Sequence, residues 1–135
     1  MKLNQDVEDW AFHTGRLIMY DKGASSKSAL PFARLYGYAV MADLSPTVTR
    51  IYSSSSRQKA LIALWDSGQR EGLRVRPAEG SKHIREENGQ PASDAIDMPC
   101  SNVLNDSKCA TIARELGLRA GSDFRVSDPG HYDLP

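Results

Sequence analysis

The sequence predicts an α+β fold, in which a small antiparallel sheet is flanked by helices. Several stretches carry apolar residues at helical spacing, and short stretches rich in β-branched residues are typical of strands. These stretches do not alternate as regular β-α-β units, which favours an antiparallel sheet over a parallel one. The chain has 135 residues, the usual length of one domain. We therefore expect residues 1–135 to form a single domain.

The first predicted element is an N-terminal helix. Asn4 is a suitable N-cap, and the apolar residues that follow recur at helical spacing to about Tyr20. His13 lies in this helix, and we interpret it as structural. Residues 21–28 are rich in glycine and serine, which predicts a loop. The loop does not satisfy the phosphate-binding pattern G-x-x-x-x-G-K-[ST], so it gives no indication of nucleotide binding.

The middle of the chain predicts a further strand and helix. Residues 29–44 are apolar and rich in tyrosine, and periodicity alone leaves both helix and strand open. Residues 48–52 predict a strand by their β-branched content, and one of the serines at 53–56 then caps a helix. The apolar residues of that helix form one stripe that we expect to be buried: Ala60, Leu61, Leu64 and Trp65.

A last helix is predicted near the C-terminus. Either Asn105 or Asp106 caps it, and Gly117 ends it. Its apolar face consists of Cys109, Ile112, Ala113 and Leu116. Cys100 and Cys109 could pair across a short loop, but in a chain that is not exported we expect both to be free thiols. They lack the C-x-x-C spacing, so we do not expect them to bind zinc.

Composition argues against two classes of partner. Lys plus Arg and Asp plus Glu both number 17, so the formal net charge is zero and no basic stripe indicates nucleic acid. No apolar run approaches the roughly 18 residues that would span a membrane. The polar N-terminus does not have the pattern of a signal peptide. We expect the chain to be made in the cytoplasm, without membrane insertion.

Two histidines and an aspartate are candidate metal ligands: His83, Asp97 and His131. Two imidazoles and one carboxylate are a donor set that suits zinc. Three protein ligands leave a fourth position for water, which is typical of catalytic rather than structural zinc. Asp128, three residues before His131, is the candidate general base for that water.

Strand alternation arbitrates between Asp97 and a rival carboxylate, Asp94. In residues 94–98 alternate side chains share one face. Ile96 and Met98 favour the core, so Asp97 and Ala95 are expected to face the cleft, and Asp97 is the better ligand.

The same alternation applies at the C-terminus. His131 and Asp133 point one way, whereas Tyr132 and Leu134 point to the core. A ligand on a strand is well fixed.

These motifs resemble the zinc peptidases that include D-alanyl-D-alanine carboxypeptidases, D-Ala-D-Ala dipeptidases and phage L-alanyl-D-glutamate endolysins. Ser81 to His83 matches the S-x-H of the first ligand, and Ser93 to Asp97 matches G-x-A-x-D with Ser for Gly. Asp128 to His131 matches [D/E]-x-x-H, which carries the catalytic acid/base and the third ligand. The resemblance implies the hedgehog/DD-peptidase fold, with the zinc ligands on a small sheet. We expect Ser81 to support the first ligand through a hydrogen bond.

The chain departs from the family pattern at two places. Residues 84–92 lengthen the usually short connection between the first two ligands, and Asn88-Gly89 and Pro91 predict a surface excursion there. The family's Ser-Gly-Tyr-Arg signature, whose arginine contacts the substrate, is replaced by Tyr52-Ser-Ser-Ser-Ser-Arg57-Gln58. Arg57 is the nearest candidate for substrate binding, although it also fits a later, less critical basic residue of that signature.

The function we expect is that of a zinc-dependent peptidoglycan peptidase, a monomer most like phage endolysins that cut the L-Ala–D-Glu bond of the stem peptide. It would leave the host cytoplasm at lysis and act on the wall. The alternatives are a D-Ala-D-Ala carboxypeptidase or dipeptidase, and a non-catalytic wall-binding or structural phage module. The basic stretch of residues 57–85, which includes Arg74, is either a solvated face or a cleft wall for substrate carboxylates.

Overall fold

Helices and two small antiparallel sheets make up the described part of the chain, which confirms the predicted α+β class. The structure is a computed structural model that describes residues 1–73 and 75–135, so Arg74 of the basic stretch lies outside the described residues. The α-helices are α1 (Gln5–Trp10), α2 (Arg16–Asp21), α3 (Ala29–Met41), α4 (Ser55–Asp66) and α5 (Val103–Glu115). None of the helices in these two ranges has the length and apolar character to cross a bilayer.

The predicted N-terminal helix is present and begins after Asn4. The Asn4 side chain accepts a hydrogen bond from the backbone N–H of Val7 at 3.0 Å, as expected of an N-cap. A π-helical turn, Ala11–Gly15, joins α1 to α2. A Cβ at Gly15 would lie 2.8 Å from side-chain atoms of both Trp10 and Ala33, so glycine here allows α3 to pack closely.

Residues 29–44, which the sequence left open, are mostly helix α3. Phe32, Ala33 and Leu35 are fully buried on it. The core forms where this helix meets α2, α5 and the larger sheet. Helix α5 contributes Cys109 and Ala113, and the larger sheet contributes Ile96 and Tyr132, with Met98 directly after the strand that carries Ile96.

Both cysteines are buried free thiols, as predicted. Burial, assisted by the neighbouring Cys109 thiol, raises the pKa of Cys100 to about 12. Because the thiolate is the reactive form, this thiol is chemically quiet.

The larger sheet contains β3 (Ala95–Asp97), β4 (Arg119–Ala120) and β5 (His131–Asp133) in the order β3-β5-β4. All pairs are antiparallel, and the register sets Asp97 opposite His131 and Ala95 opposite Asp133. Two metal-ligand candidates are therefore direct cross-strand neighbours on adjacent strands.

The smaller sheet is a hairpin of β1 (Glu86–Glu87) and β2 (Gln90–Pro91). Its turn residues Asn88 and Gly89 have positive φ angles of 52° and 75°, typical of the Asn-Gly hairpin turn. The hairpin residues are exposed, so the long connection between the first two ligands is a surface excursion, as expected.

The predicted strand at residues 48–52 is wrong. Only an isolated bridge forms there, between Arg50 and Asp97. The backbone N–H of Asp97 donates to the Arg50 carbonyl at 2.8 Å, but the chain then leaves β3, because Ser53 N–H donates to the His83 carbonyl at 3.0 Å. The short contact nevertheless brings the Arg50 side chain beside Asp97.

The predicted buried stripe of α4 is also wrong. Ser54 caps this helix as a serine was expected to, but Ala60 and Leu64 are exposed and Leu61 and Trp65 only partly buried. The one buried residue of α4 is the polar Gln58. Its side chain is held by hydrogen bonds that a hydrophobic pattern cannot reveal.

Two smaller expectations also need correction. The N-cap of α5 is Asn102, whose side chain accepts from Asn105 N–H at 2.8 Å, because the helix begins earlier than its apolar face. Its end at Gly117, with a φ of 83°, is as predicted. Ala95 does not face the cleft with Asp97 but is fully buried, and the longer side chains of Asp133 and Arg119 line the cleft instead.

Candidate metal centre

His83, Asp97 and His131 converge at one point of the structure. Each offers one ligand atom, and these atoms lie within 4.8 Å of one another. His83 sits in a 3-10 turn, Lys82–Ile84, Asp97 ends β3, and His131 begins β5. This group can bind a metal ion.

His83 presents Nε2 to the centre. Its Nδ1 lies 2.8 Å from the Ile51 carbonyl oxygen, which can only accept, so the ring proton is on Nδ1. The Nε2 lone pair then faces Asp97 Oδ1 at 3.2 Å. Ser81 supports this residue through the main chain, because its hydroxyl accepts from His83 N–H at 3.1 Å and caps the turn.

His131 lies between two carboxylates. Its Nδ1 is 3.0 Å from Asp97 Oδ1, and its Nε2 is 3.0 Å from Asp133 Oδ2. A neutral imidazole carries one N–H and therefore can donate to only one of them. When that proton is on Nε2, the Nδ1 lone pair joins those of His83 and Asp97 at the centre.

The three convergent lone pairs need a positive charge between them, because acceptors facing each other at about 3 Å repel. In the metal-free molecule a proton on His131 can supply this positive charge. Burial acts to lower the pKa of His131, but hydrogen bonds to Asp133 and Asp97 outweigh it and raise the pKa to about 9. Burial likewise acts to raise the pKa of Asp97, yet the two histidines and Arg50 hold it far below its usual range. A metal cation would replace this proton.

Arg50 occupies the other oxygen of Asp97. Its Nε donates to Asp97 Oδ2 at 3.0 Å, and its Nη1 donates to Gln58 Oε1 at 3.0 Å. Gln58 in turn donates to the Ala78 carbonyl at 2.6 Å, which explains why this polar side chain is buried. Asp97 is thereby oriented with Oδ1 left for a metal ion.

A cleft of about 840 Å³ exposes the centre to solvent and to a substrate. The three candidate ligands, Asp128 and Arg57 all line it. Its volume is in the range of small-molecule sites, large enough for part of a short peptide.

Asp128 is placed on the cleft wall by its backbone. Its N–H donates to the Gly121 carbonyl at 2.8 Å, and its carbonyl accepts from His131 N–H at 3.2 Å. A Cβ at Gly121 would lie 2.2 Å from the Asp128 carbonyl oxygen, so only glycine allows this close approach. The half-buried Asp128 is thus fixed relative to His131 without belonging to the metal-ligand group.

Asp94 lies away from the centre. Its carboxylate accepts from the Ser25 hydroxyl and, at 2.7 Å, from that of Ser28, and it pairs with Arg85 at 3.3 Å. Burial acts to raise the pKa of Asp94, but these partners keep it lowered. The structure thus places Asp97, not Asp94, among the candidate ligands.

Arg57 is exposed in the first turn of α4. In the described ranges no carboxylate pairs with its guanidinium, whereas Arg50 pairs with Asp97 and Arg119 with Asp133. It is therefore an available cation on the cleft wall.

The sequence motifs did not predict four residues that support the candidate ligands directly or through a neighbour: Arg50, Gln58, Arg119 and Asp133. For Asp133 the signal was present, because alternation put it on the face of His131. Arg50 and Gln58 had no such signal, since their roles depend on a tertiary contact.

No protein-family model matches this chain, and no curated protein matches it significantly. The motifs and the geometry of the site are therefore the observations that indicate a function.

Proposed function

We propose that the protein is a zinc-dependent peptidoglycan peptidase of the hedgehog/DD-peptidase fold. The observation that supports this is the convergence of His83, Asp97 and His131 in an open cleft, in the motif order described above. Within this class we favour a monomeric phage endolysin that cuts the L-Ala–D-Glu bond and reaches the wall from the host cytoplasm at lysis. The alternative with the same chemistry is a D-Ala-D-Ala carboxypeptidase or dipeptidase.

Zinc fits the donor set. Two imidazole nitrogens and one carboxylate oxygen are its usual ligands in catalytic sites, and each ligand here has a further hydrogen-bond partner that orients it. When bound, zinc supplies Lewis-acid chemistry that polarises a carbonyl and makes water more acidic.

Asp128 supplies the proton chemistry in this proposal. Its carboxylate takes a proton from the attacking water and passes it to the leaving amine, as a general base and then a general acid. The backbone contacts to Gly121 and His131 keep it beside the third ligand.

Digestion of purified sacculi tests the function and the bond. We expect zinc-loaded protein to release stem peptides with new D-Glu amino termini and to leave L-Ala on the muramic acid, as identified by mass spectrometry. Free D-Ala would instead support the carboxypeptidase alternative. No cleavage of several wall types by zinc-loaded protein would leave a non-catalytic binding module.

Replacing Arg57 tests the cleft wall. Arg57→Ala should raise KM about tenfold or more, because a hydrogen bond to a charged group contributes roughly 1.5 to 3 kcal/mol. The zinc content should not change. The matched control is Lys59→Ala, which removes one charge from the same helix but does not line the cleft. Equal effects of the two changes would argue against a specific role of Arg57.

A further inference from the structure

We propose that Asp133 is a positioning residue that fixes which nitrogen of His131 faces the metal. This inference rests on the metal centre of the proposed function but concerns a residue outside the ligand set. By accepting a hydrogen bond from Nε2–H, Asp133 leaves the Nδ1 lone pair directed at the centre.

The symmetry around His131 makes such a residue necessary. Its two nitrogens face carboxylates at the same distance, 3.0 Å, with Asp97 on one side and Asp133 on the other. Without Asp133, Nε2 would lose this acceptor, whereas Asp97 would still lie 3.0 Å from Nδ1. The neutral ring would then place its proton on Nδ1 and donate it to Asp97, which would block the lone pair that a metal needs.

Asp133 is held more firmly than an exposed carboxylate. Its side chain is 3% exposed, and Arg119 from the adjacent strand binds it in a bidentate manner at 2.6 and 2.9 Å. Lys82, next to His83, adds a contact at 3.5 Å. The strand register aligns Arg119 with Asp133, so the sheet itself fixes the direction of this acceptor.

Phe124 completes the support. Its ring centroid is 5.5 Å from that of His131, and the Arg119 guanidinium lies over the same ring at 4.9 Å. The imidazole and its anchoring arginine therefore pack on one aromatic side chain. A rotation of the His131 ring would break contacts on both sides.

The test compares Asp133→Ala with the control Asp94→Ala, which also removes a buried, arginine-paired carboxylate but lies outside the ligand group. Zinc affinity, measured by chelator competition, should fall about 10- to 100-fold for Asp133→Ala, as for other partners of ligating histidines. Asp94→Ala should change it little. Unchanged zinc affinity in a folded Asp133→Ala protein would overturn the inference.

A second readout does not require zinc. In metal-free protein labelled with ¹⁵N-histidine, at a pH where the ring is neutral, NMR should show a larger fraction of the His131 proton on Nε2 in the wild type than in Asp133→Ala. In Asp133→Ala it should move to Nδ1, and an unchanged tautomer would contradict the inference. If Asp133→Ala changed the tautomer in this way but the wild type bound no zinc, the proposed function would fail, whereas the control of the His131 proton by Asp133 would stand.

If Asp133→Ala does not fold, Asp133→Asn keeps the volume. Its single acceptor oxygen must be shared between Arg119 and His131. We expect a smaller loss of zinc affinity and a partial shift of the proton to Nδ1, and wild-type values for both would again overturn the inference.

Discussion

Replacing His83 or His131 by alanine should remove zinc from the purified protein. The wild type should carry about one zinc per chain, since the three candidate ligands form one site. With one imidazole removed, only two ligands remain, and the cleft offers water in place of the third. Elemental analysis of the folded variants measures the loss. Full zinc occupancy in both single variants would contradict the assignment.

A paired change identifies the carboxylate ligand. Asp97→Ala should lower zinc binding far more than Asp94→Ala, because Asp94 is engaged by Ser25, Ser28 and Arg85 elsewhere. Both variants lose a carboxylate that pairs with an arginine, so thermal unfolding of the metal-free proteins separates lost stability from lost ligation. The reverse order of zinc binding would move the ligand to Asp94.

Asp128→Asn should leave the fold and zinc content unchanged while lowering turnover about 10²- to 10⁴-fold, the usual contribution of general-base catalysis. The bonds of Asp128 to Gly121 and His131 use its main chain, which asparagine keeps. An asparagine side chain cannot accept the proton from water. Turnover of a defined muropeptide measures the effect, and wild-type turnover would exclude Asp128 from the mechanism.

Strand periodicity predicted part of the site because one face of the sheet is buried. Ile96 and Met98 are fully buried, and Asp97 is left at the cleft. The same argument placed His131 and Asp133 together on β5. The expectation that Ala95 faces the cleft was wrong, because periodicity predicts the face of the sheet on which a side chain lies but not what covers that face.

Contacts between distant segments could not be predicted in this way. Arg50 reaches Asp97 through a single backbone bridge, too short to leave a strand pattern. Gln58 is polar, so the hydrophobic pattern of its helix predicted an exposed side chain. Its hydrogen bonds to Arg50 and to the Ala78 carbonyl nevertheless keep it buried. Burial of a polar side chain follows from its partners, and these partners come from other parts of the fold.

The strand order has a consequence for how the chain folds. β5 follows β3 and β4 in sequence but lies between them, and those two strands do not pair with each other. The larger sheet therefore cannot form until residues 131–133 insert at its centre. This step joins distant segments and is intrinsically slow. That insertion also delivers His131 to Asp97. Formation of the sheet therefore also brings these two ligands together, whereas the third candidate ligand, His83, lies outside the sheet.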